Sequence, residues 1–319
     1  MELTIGKETI RSGEKKNLTL PVTEKTHLPL TVICGKRPGK TALISAGVHG
    51  AEYLGIQAVL ELSRELEPED VSGTILFLLD ANWEATVRFA RWVVPEDGQN
   101  LNRAFPGDPH GSLSKKIAHV MAEELQKKAD FYLDIHCGDI HEQVMPFVYY
   151  AGVAKDEVVE EARQMAMAAD MAVRTRSGAT SGANNYAAAC QIPSLLLERG
   201  GNGIVTRSGV EAYKRDIRNI LKFQNVLKGE PVHTVRQREV VSARYIDSTR
   251  EGLWYPRFGA GECFKKGEIL GEVCDIWGKR LECVTAGYDG IILYETVGMG
   301  VRPGESLVAY GRFQNLQNL

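Results

Sequence analysis

Residues 41–52 read TALISAGVHGAE, and this stretch decides the fold prediction. It begins with the small and apolar residues of a buried strand, and residues 52–66 then repeat apolar side chains at helical spacing. A strand that turns into a helix is the repeating unit of open α/β folds, which bind ligands at the carboxyl edge of the sheet. His49 and Glu52 lie at this turn. If the helix begins near Gly50, their side chains share one face and can bind one metal ion.

The same alternation of strand and helix continues to about residue 228. Strands are predicted at residues 43–46, 74–79, 131–135, 144–150 and 194–197, and helices at residues 52–66, 114–127, 156–171 and 209–227. This pattern predicts an α/β fold, a mixed sheet with helices on both faces. Residues 1–34 are predicted to form short strands before this core. Residues 178–186, GATSGANNY, are predicted to be a loop that either closes over a substrate or simply connects two elements.

The length and a change of texture predict two domains. A chain of 319 residues exceeds the usual size of one core, and after residue 229 short strands and glycine turns replace the helices. We therefore expect a catalytic domain at residues 1–230 and an all-β domain at residues 231–319. In the second, residues 265–273 are echoed by residues 302–309, as in the half-barrel of lipoyl and biotinyl domains. Lys279 lies near the corresponding hairpin turn but lacks a carrier signature, so we expect an ordinary surface lysine.

A third candidate metal ligand, His136, ends another apolar run in the segment LDIHCG at residues 133–138. Two imidazoles and one carboxylate suit catalytic zinc, which keeps an open position for water and lowers the pKa of that water to about 7. His49, Glu52 and His136 are therefore predicted to bind one Zn²⁺ ion per subunit. Taken singly, each histidine has an ordinary alternative, as a turn residue or a hydrogen-bonded core residue.

The segment PEDGQNLNRAFPG, residues 95–107, places an Asn-Arg pair between turn residues. A guanidinium binds a carboxylate bidentately, and a neighbouring amide can donate to the same anion. Asn102 and Arg103 are therefore predicted to bind a free carboxylate of the substrate. The alternative is a salt bridge from Arg103 to Asp97 or Asp108 that only stiffens the loop.

A late apolar strand delivers a carboxylate at its end, in the segment IPSLLLERGG at residues 192–201. Hydrolysis by activated water needs a base for the water proton and an acid for the leaving amine, and one glutamate can serve as both. Glu198 is the candidate, and the alternative is a strand-end carboxylate that pairs with Arg199 or caps a following helix. Because neighbouring side chains on a strand face opposite ways, Arg199 is predicted to point away from Glu198.

The order HGAE, DGQNLNRAFPG, LDIHCG and IPSLLLERGG resembles the succinylglutamate desuccinylase and aspartoacylase family of zinc carboxypeptidase-like amidohydrolases, over nearly the whole chain. The resemblance implies a zinc carboxypeptidase-like fold, followed by a small barrel that narrows access to the site. It assigns the metal to His49, Glu52 and His136, the substrate carboxylate to the Asn-Arg pair, and proton transfer to Glu198. It also implies an arginine that polarises the scissile carbonyl. Arg91 is the better match, with Arg88 as the alternative.

The sequence thus predicts a zinc-dependent amidohydrolase that removes the acyl group from a small N-acylated amino acid or related amine. The alternatives are a zinc carboxypeptidase acting on short peptides and a metal-free binding protein on the same scaffold. The identities of the acyl group and the amine stay open. A carboxylate-bearing acyl chain would need a further cation, and four arginines are candidates: Arg174, Arg176, Arg199 and Arg207.

Composition argues against other classes of partner. The net charge is −3 and no basic run is present, so neither nucleic acid nor an anionic membrane is an expected partner. No segment approaches the roughly 20 apolar residues of a membrane span, and the charged residues 1–16 do not resemble a signal peptide. Six cysteines without a CxxC pair indicate reduced thiols in a cytoplasmic protein. The oligomeric state stays open, with a homo-oligomer among the alternatives.

Overall fold

The computed structural model describes residues 2–314, which form eighteen strands and six α-helices. The strands are β1 (Glu2–Ile5), β2 (Glu8–Arg11), β3 (Glu14–Pro21), β4 (His27–Cys34), β5 (Arg37–Ala46), β6 (Ser72–Leu78), β7 (Phe131–His136), β8 (Glu142–Ala151), β9 (Val173–Ser177), β10 (Ser194–Gly201), β11 (Arg238–Asp247), β12 (Gly252–Pro256), β13 (Cys263–Phe264), β14 (Ile269–Cys274), β15 (Arg280–Thr285), β16 (Gly290–Thr296), β17 (Gly300–Val301) and β18 (Ser306–Phe313). The helices are α1 (Tyr53–Glu65), α2 (Trp83–Val87), α3 (Leu113–Val120), α4 (Asp156–Ala168), α5 (Ala183–Ala189) and α6 (Arg207–Phe223).

One mixed sheet of twelve strands runs through the described residues, in the order β13-β16-β18-β11-β9-β8-β10-β7-β5-β6-β4-β3. Its central strands β10, β7, β5 and β6 are parallel, and each connection between them carries helical structure. All five strands predicted after residue 41 are present as β5, β6, β7, β8 and β10. The predicted mixed α/β fold is confirmed.

Helices cover both faces of this sheet, as predicted. Helices α1, α4 and α6 pack on one face, where Leu133 and Leu197 of the central strands join their apolar side chains. Helices α3 and α5 pack on the other face, against a cluster that includes Leu43 and Tyr132. Because side chains alternate along a strand, consecutive residues of β7, such as Tyr132 and Leu133, enter different cores. This alternation decides which polar residue at a strand end faces the site.

Three segments differ from the sequence prediction. The helix predicted at residues 114–127 starts as α3 but continues as a π-helical turn, Met121–Leu125, and a 3₁₀ turn, Gln126–Lys128. The second half of the predicted loop at residues 178–186 belongs to α5. This helix, ANNYAAA, consists mostly of small and polar residues, so it shows no apolar repeat at helical spacing. Strand β9 was not predicted, because it follows α4 after a turn of only a few residues.

The C-terminal strands close a barrel with strands of the α/β part. Pairing runs from β16 through β18, β11, β9 and β8, and β8 pairs back to β16, which closes a ring of five strands. A separate sheet has the order β15-β14-β12-β17. The main sheet continues across the boundary predicted near residue 230, because β11 pairs with β9. The division into two domains and the lipoyl-like half-barrel stay predictions.

The internal repeat has a structural counterpart in two matching turns. The Glu268 carboxylate accepts a hydrogen bond from the amide N of Lys265 at 2.6 Å, and the Glu305 carboxylate accepts one from the amide N of Arg302 at 2.8 Å. Both turns contain a glycine at positive φ. Lys279, in the β14–β15 hairpin, is exposed, as predicted. Within the described part of the chain, no helix is long and apolar enough to cross a membrane.

Candidate metal centre and active site

His49 and Glu52 lie in the turn between β5 and α1. Gly47 has a φ of +70°, and a Cβ at this position would lie 2.4 Å from Oδ1 of Asp80, so the turn requires glycine. Helix α1 begins at Tyr53, near its predicted start at residue 52 but after Gly50, where a shared helix face would require it to begin. Glu52 is instead the N-cap residue of α1, and its amide N donates to the carbonyl O of His49 at 3.4 Å. A tight turn, rather than a shared helix face, brings the two side chains together.

The three predicted metal ligands converge. Oε1 of Glu52 lies 2.6 Å from Nδ1 of His49, and Oε2 of Glu52 lies 3.0 Å from Nδ1 of His136. The two imidazole rings are 5.0 Å apart between centroids, and one donor atom from each of the three residues lies within 4.8 Å of the others. Glu52 and His136 are buried, and His49 is partly exposed. The structure therefore brings together residues that are 87 positions apart at the extremes, 49 and 136.

The far nitrogen of each imidazole faces an oxygen. Nε2 of His49 lies 3.2 Å from Oδ1 of Asn100, and Nε2 of His136 lies 3.1 Å from Oδ2 of Asp134. The second contact has hydrogen-bond length but not hydrogen-bond direction. Oδ1 of Asp134 accepts a hydrogen bond from Ser45 Oγ at 2.8 Å, which fixes the carboxylate. Outer partners of this kind orient metal-binding histidines and leave the other ring nitrogen free to bind the ion.

Electrostatics couple the three residues. Burial would raise the pKa of Glu52, but the imidazoles of His136 and His49 lower it to about 2. Burial would lower the pKa of His136, but the carboxylates of Glu52 and Asp134 raise it well above its ordinary value. These shifts favour an ionised Glu52 and a protonated His136 when no ion is bound. Binding of a cation releases protons from such a site, because it competes for the same nitrogen.

The donor set fits a divalent metal ion. Two imidazole nitrogens and one carboxylate oxygen are the ligands that zinc and neighbouring first-row ions prefer. The convergence of the donor atoms and the outer oxygens of Asn100 and Asp134 provide the first and second layers of such a site. His49, Glu52 and His136 are the residues that would bind the ion.

Glu198 lies beside the candidate metal centre. It stands in register with His136 on the neighbouring parallel strand, so both side chains are on the same face of the sheet. Its Oε2 is buried and has no hydrogen-bond partner among the described residues. Burial and the nearby charge of Glu52 raise the pKa of Glu198 well above its ordinary value, although His136 opposes the change. A carboxyl group in this state can bind and release a proton at the site.

Arg199 points away from Glu198, as predicted from strand alternation. Its guanidinium Nη2 lies 2.8 Å from Oδ2 of Asp216 in α6, on the opposite face of the sheet. Asp216 is fully buried, so this ion pair connects β10 to α6. The alternative in which Glu198 pairs with Arg199 therefore does not occur.

The structure separates Arg91 from Arg88. Arg91 lines a cavity with His49 and Glu52, and its Nε lies 2.6 Å from Oδ2 of Asp139. Its carbonyl O accepts a hydrogen bond from the amide N of Ala51 in the metal-binding turn, at 3.2 Å. The side chain of Arg88 is 65% exposed, pairs with Glu84 and lines neither cavity of the site. Of the two candidates, Arg91 is the one near the metal ligands.

Asn102 and Arg103 lie in a 3₁₀ turn, Leu101–Arg103. Both residues line a cavity that is also lined by His49 and Glu52. Oδ1 of Asn102 accepts a hydrogen bond from the amide N of Ala183 at 2.8 Å, so the side-chain NH₂ is the group left for a ligand. Arg103 forms no ion pair within residues 2–314. The carboxylates of Asp97 and Asp108, its proposed alternative partners, accept hydrogen bonds from backbone amides instead.

Two cavities meet at the metal centre, and we call them the inner and the outer cavity. The inner cavity, about 850 Å³, is lined by Asn102, His136, Glu198 and residues of the closed barrel. The outer cavity, about 1220 Å³, is lined by Arg91 and by residues of the C-terminal strands and turns. Four residues line both cavities and define their junction: His49, Glu52, Arg103 and Glu142.

Several residues of the site were not assigned from the sequence. Asp134 precedes His136 by two residues, so strand alternation alone places both on one face and could have identified it. Asn100 lies in the same motif as Asn102, but nothing in the sequence indicates that it contacts His49. Burial and the charge of Asp139 raise the pKa of Glu142 to about 7. Neither Glu142 nor Asp139 has a sequence pattern that distinguishes it from a solvent-exposed acid.

Comparison with known proteins identifies relatives. A family model described as the succinylglutamate desuccinylase/aspartoacylase catalytic domain matches residues 38–224. An N-alpha-acetyl-L-2,4-diaminobutyric acid deacetylase from Halomonas elongata is 29% identical over 302 residues, which cover 88% of this chain and 84% of the relative.

Two solved structures resemble the protein over almost its whole length. A succinylglutamate desuccinylase/aspartoacylase from Rhodobacter sphaeroides has a TM-score of 0.85 at 27% identity, over 95% of this chain and 97% of that one. The product-bound ectoine utilization protein EutE (DoeB) from Ruegeria pomeroyi has a TM-score of 0.85 at 25% identity, over 95% and 96% of the two chains. The family match covers more than half of the chain and includes every predicted site residue, so the protein belongs to the succinylglutamate desuccinylase/aspartoacylase family.

Proposed function

We propose that this protein is a zinc-dependent amidohydrolase that removes the acyl group from a small N-acylated amino acid. One observation carries the proposal above the others. A buried carboxyl oxygen of Glu198, without a hydrogen-bond partner among the described residues, lines the same cavity as His49, Glu52 and His136. A proton-accepting group next to a hydrolytic metal site is what water-driven amide cleavage requires.

In the proposed reaction, the metal ligands, Glu198 and Arg91 have different roles. When bound, zinc would supply Lewis acidity for the attacking water and for the amide carbonyl. Glu198 accepts a proton from the attacking water as the water oxygen bonds to the carbonyl carbon. It then delivers that proton to the amide nitrogen as the carbon–nitrogen bond breaks. Arg91, oriented by Asp139, donates to the oxyanion that develops on the carbonyl oxygen.

Substrate orientation falls to Asn102 and Arg103. Among the described residues, the NH₂ of Asn102 and the guanidinium of Arg103 have no partner that would prevent them from donating together to one carboxylate. A ligand bound in this way has its carboxylate beside the metal centre, because Arg103 lines the junction of the two cavities. This arrangement selects amino acids over simple amines.

The comparisons support the reaction class. The Halomonas elongata relative is named as a deacetylase of an N-acetylated diamino acid, and the matching family is named for the removal of succinyl and aspartate-linked acyl groups. These names share hydrolysis of the amide of a small N-acyl amino acid. They differ in the acyl group, so the comparisons leave that group open.

The test has two parts. Purified protein is analysed for bound metal, and it is then assayed against N-acyl amino acids and against short peptides with the same carboxyl-terminal residue. We expect about one zinc ion per chain. We also expect the amino acid to be released faster from the N-acyl amino acids than from the peptides. Faster cleavage of peptides would establish the carboxypeptidase alternative. Protein that binds the ligand but contains no metal and shows no hydrolytic activity would establish the binding-protein alternative.

A further inference from the structure

The two cavities separate the two halves of a bound substrate; this step rests on the proposed function. Asn102 and Glu198 line only the inner cavity, whereas Arg91 lines only the outer one. If the amino acid carboxylate binds at Asn102 and Arg103, the amine half lies in the inner cavity. The acyl chain beyond the scissile carbonyl then extends past Arg91 into the outer cavity.

Three guanidinium groups line the outer cavity, and each already has a carboxylate partner or a role in the proposed function. Arg91 lies 2.6 Å from Asp139 and 3.5 Å from Glu142. Arg302 lies 2.8 Å from Glu305. The remaining one, Arg103, binds the amino acid carboxylate in the proposed function. No lysine lines this cavity.

The four further arginines that the sequence analysis considered lie elsewhere. Arg174 pairs with Glu239, Arg199 with Asp216 and Arg207 with Glu61, and none of these three arginines lines the outer cavity. Arg176 has no carboxylate partner within the described part of the chain, but it lines only the inner cavity. A cation for a succinyl-type acyl group is therefore missing where that group would lie.

Carboxyl groups outnumber cations in the outer cavity. Besides the metal ligand Glu52, six acidic residues line it: Asp139, Glu142, Asp247, Glu251, Asp275 and Glu305. Asp247 and Glu251 are exposed and form no ion pair among the described residues. Even with Glu142 protonated, the remaining carboxylates exceed the three guanidiniums. An anionic acyl group entering this cavity would meet these like charges.

We propose that the outer cavity is an acyl site that selects short uncharged acyl groups and rejects those with a terminal carboxylate. Asp247 and Glu251 are the specificity-determining residues, because they are exposed to the cavity and neither forms an ion pair among the described residues. The apolar side chains of Trp92, Trp277 and Met299 provide surface for an aliphatic chain. The protein is thus a deacylase for acetyl-type or butyryl-type groups rather than a desuccinylase.

The experiment compares N-butyryl and N-succinyl derivatives of one amino acid. Both acyl groups contain four carbons, so the terminal carboxylate is the main difference between them. We expect kcat/KM for the succinyl substrate to be lower by at least about tenfold. Added salt should raise the succinyl rate relative to the butyryl rate, because it screens repulsion between exposed charges.

Variants connect the selectivity to the named residues. The double variant Asp247→Asn/Glu251→Gln should raise the ratio of succinyl to butyryl kcat/KM by roughly fivefold or more, because it removes two repelling charges. The matched control is Glu24→Gln, an exposed acid that lines neither cavity, and it should leave the ratio unchanged.

Three results would overturn the inference. An equal kcat/KM for the succinyl and butyryl substrates contradicts the proposed selectivity of the outer cavity, but it is compatible with the proposed deacylase function. Succinyl hydrolysis that disappears in Arg176→Gln shows that the acyl group lies in the inner cavity. Absence of hydrolysis of every N-acyl amino acid by metal-loaded protein refutes the proposed function itself, and the inference with it.

Discussion

Glu198 and His136 stand side by side in register on the parallel strands β10 and β7. This single pairing places the buried carboxyl group of Glu198 next to the imidazole of His136, a candidate metal ligand, and the following residue Arg199 points to the opposite face of the sheet. The hydroxyl of Tyr213 in α6 donates to the carbonyl oxygens of His136 and Leu197, so the same helix braces both strands. The reaction proposed for the protein depends on this pairing.

Removal of the Glu198 carboxyl group should abolish proton transfer without emptying the metal site. We expect Glu198→Gln to lower kcat for an N-acyl amino acid by about 10²- to 10⁴-fold, the usual range for a general base. Bound metal, measured by elemental analysis, should stay at the wild-type level, since Glu198 is not among the converging donor atoms. Loss of metal together with activity would instead identify Glu198 as a ligand.

Arg91 and Arg88 provide a matched pair of variants. Arg91→Gln should lower kcat by roughly 10²- to 10³-fold, because it removes a donor to the developing oxyanion. Arg88→Gln, which changes an exposed residue paired with Glu84, should retain wild-type kinetics. Steady-state assays of both variants decide the assignment, and equal losses would refute it.

Arg103 should control recognition of the substrate carboxylate. With Arg103→Gln, we expect kcat/KM to fall by about 10- to 100-fold for an N-acyl amino acid, because a charged hydrogen bond is lost. The analogue without the carboxylate should react at an unchanged, low rate. Arg103→Lys should recover part of the loss, since it restores the charge but not the planar fork. A similar loss for both substrates would contradict carboxylate binding.

Asn100 should tune metal affinity from outside the donor set. Its Oδ1 faces Nε2 of His49, so Asn100→Ala should weaken metal binding by about 10- to 100-fold. Competition with a chelator measures the dissociation constant in the absence of substrate. Asn17→Ala, which changes an exposed strand residue, is the control and should bind metal like the wild type. Unchanged affinity in Asn100→Ala would show that Asn100 does not orient the imidazole.

The carboxyl group of Asp80 should make the free energy of unfolding fall as the pH rises from about 4 to about 6. Burial raises the pKa of its carboxyl group from 3.8 to about 6, so in this window the folded state binds a proton that the unfolded state has released. The contribution is complete below the unfolded pKa and is lost as the pH rises through the folded one. The loss of stability reaches an upper limit of about 3 kcal/mol at neutral pH.

The variant Asp80→Asn tests this assignment by urea unfolding at several pH values. It retains an acceptor for the amide N of Asn82 and cannot ionise, so the decline of stability with pH should become shallower. Asp216, whose pKa is also raised to about 6 by burial, accounts for a remaining slope. An identical pH profile in the variant and the wild type would contradict the assignment.

The sequence predicted the α/β part well because its signals are local. Strands β5, β7 and β10 are short apolar runs. His49 follows the end of β5, and His136 and Glu198 lie near the ends of β7 and β10. Parallel strands present their carboxyl ends at one edge of the sheet. The family motifs then gave each polar residue a role, and those residues all line the two cavities. Helix α5 was missed because a run of alanine and asparagine carries no apolar period.

What the sequence by itself determined is the central sheet, the membership of the family and the set of residues at the strand ends. Only the tertiary structure decided the closed barrel of β8, β9, β11, β16 and β18, the position of Arg91 rather than Arg88 beside the candidate metal ligands, and the acidic lining of the outer cavity. The physical reason is the range of the interactions. Periodicity and turn chemistry act over a few residues, whereas barrel closure and ion pairing depend on side chains that are distant in sequence. Whether a cation is free for a substrate is settled by its partners in space.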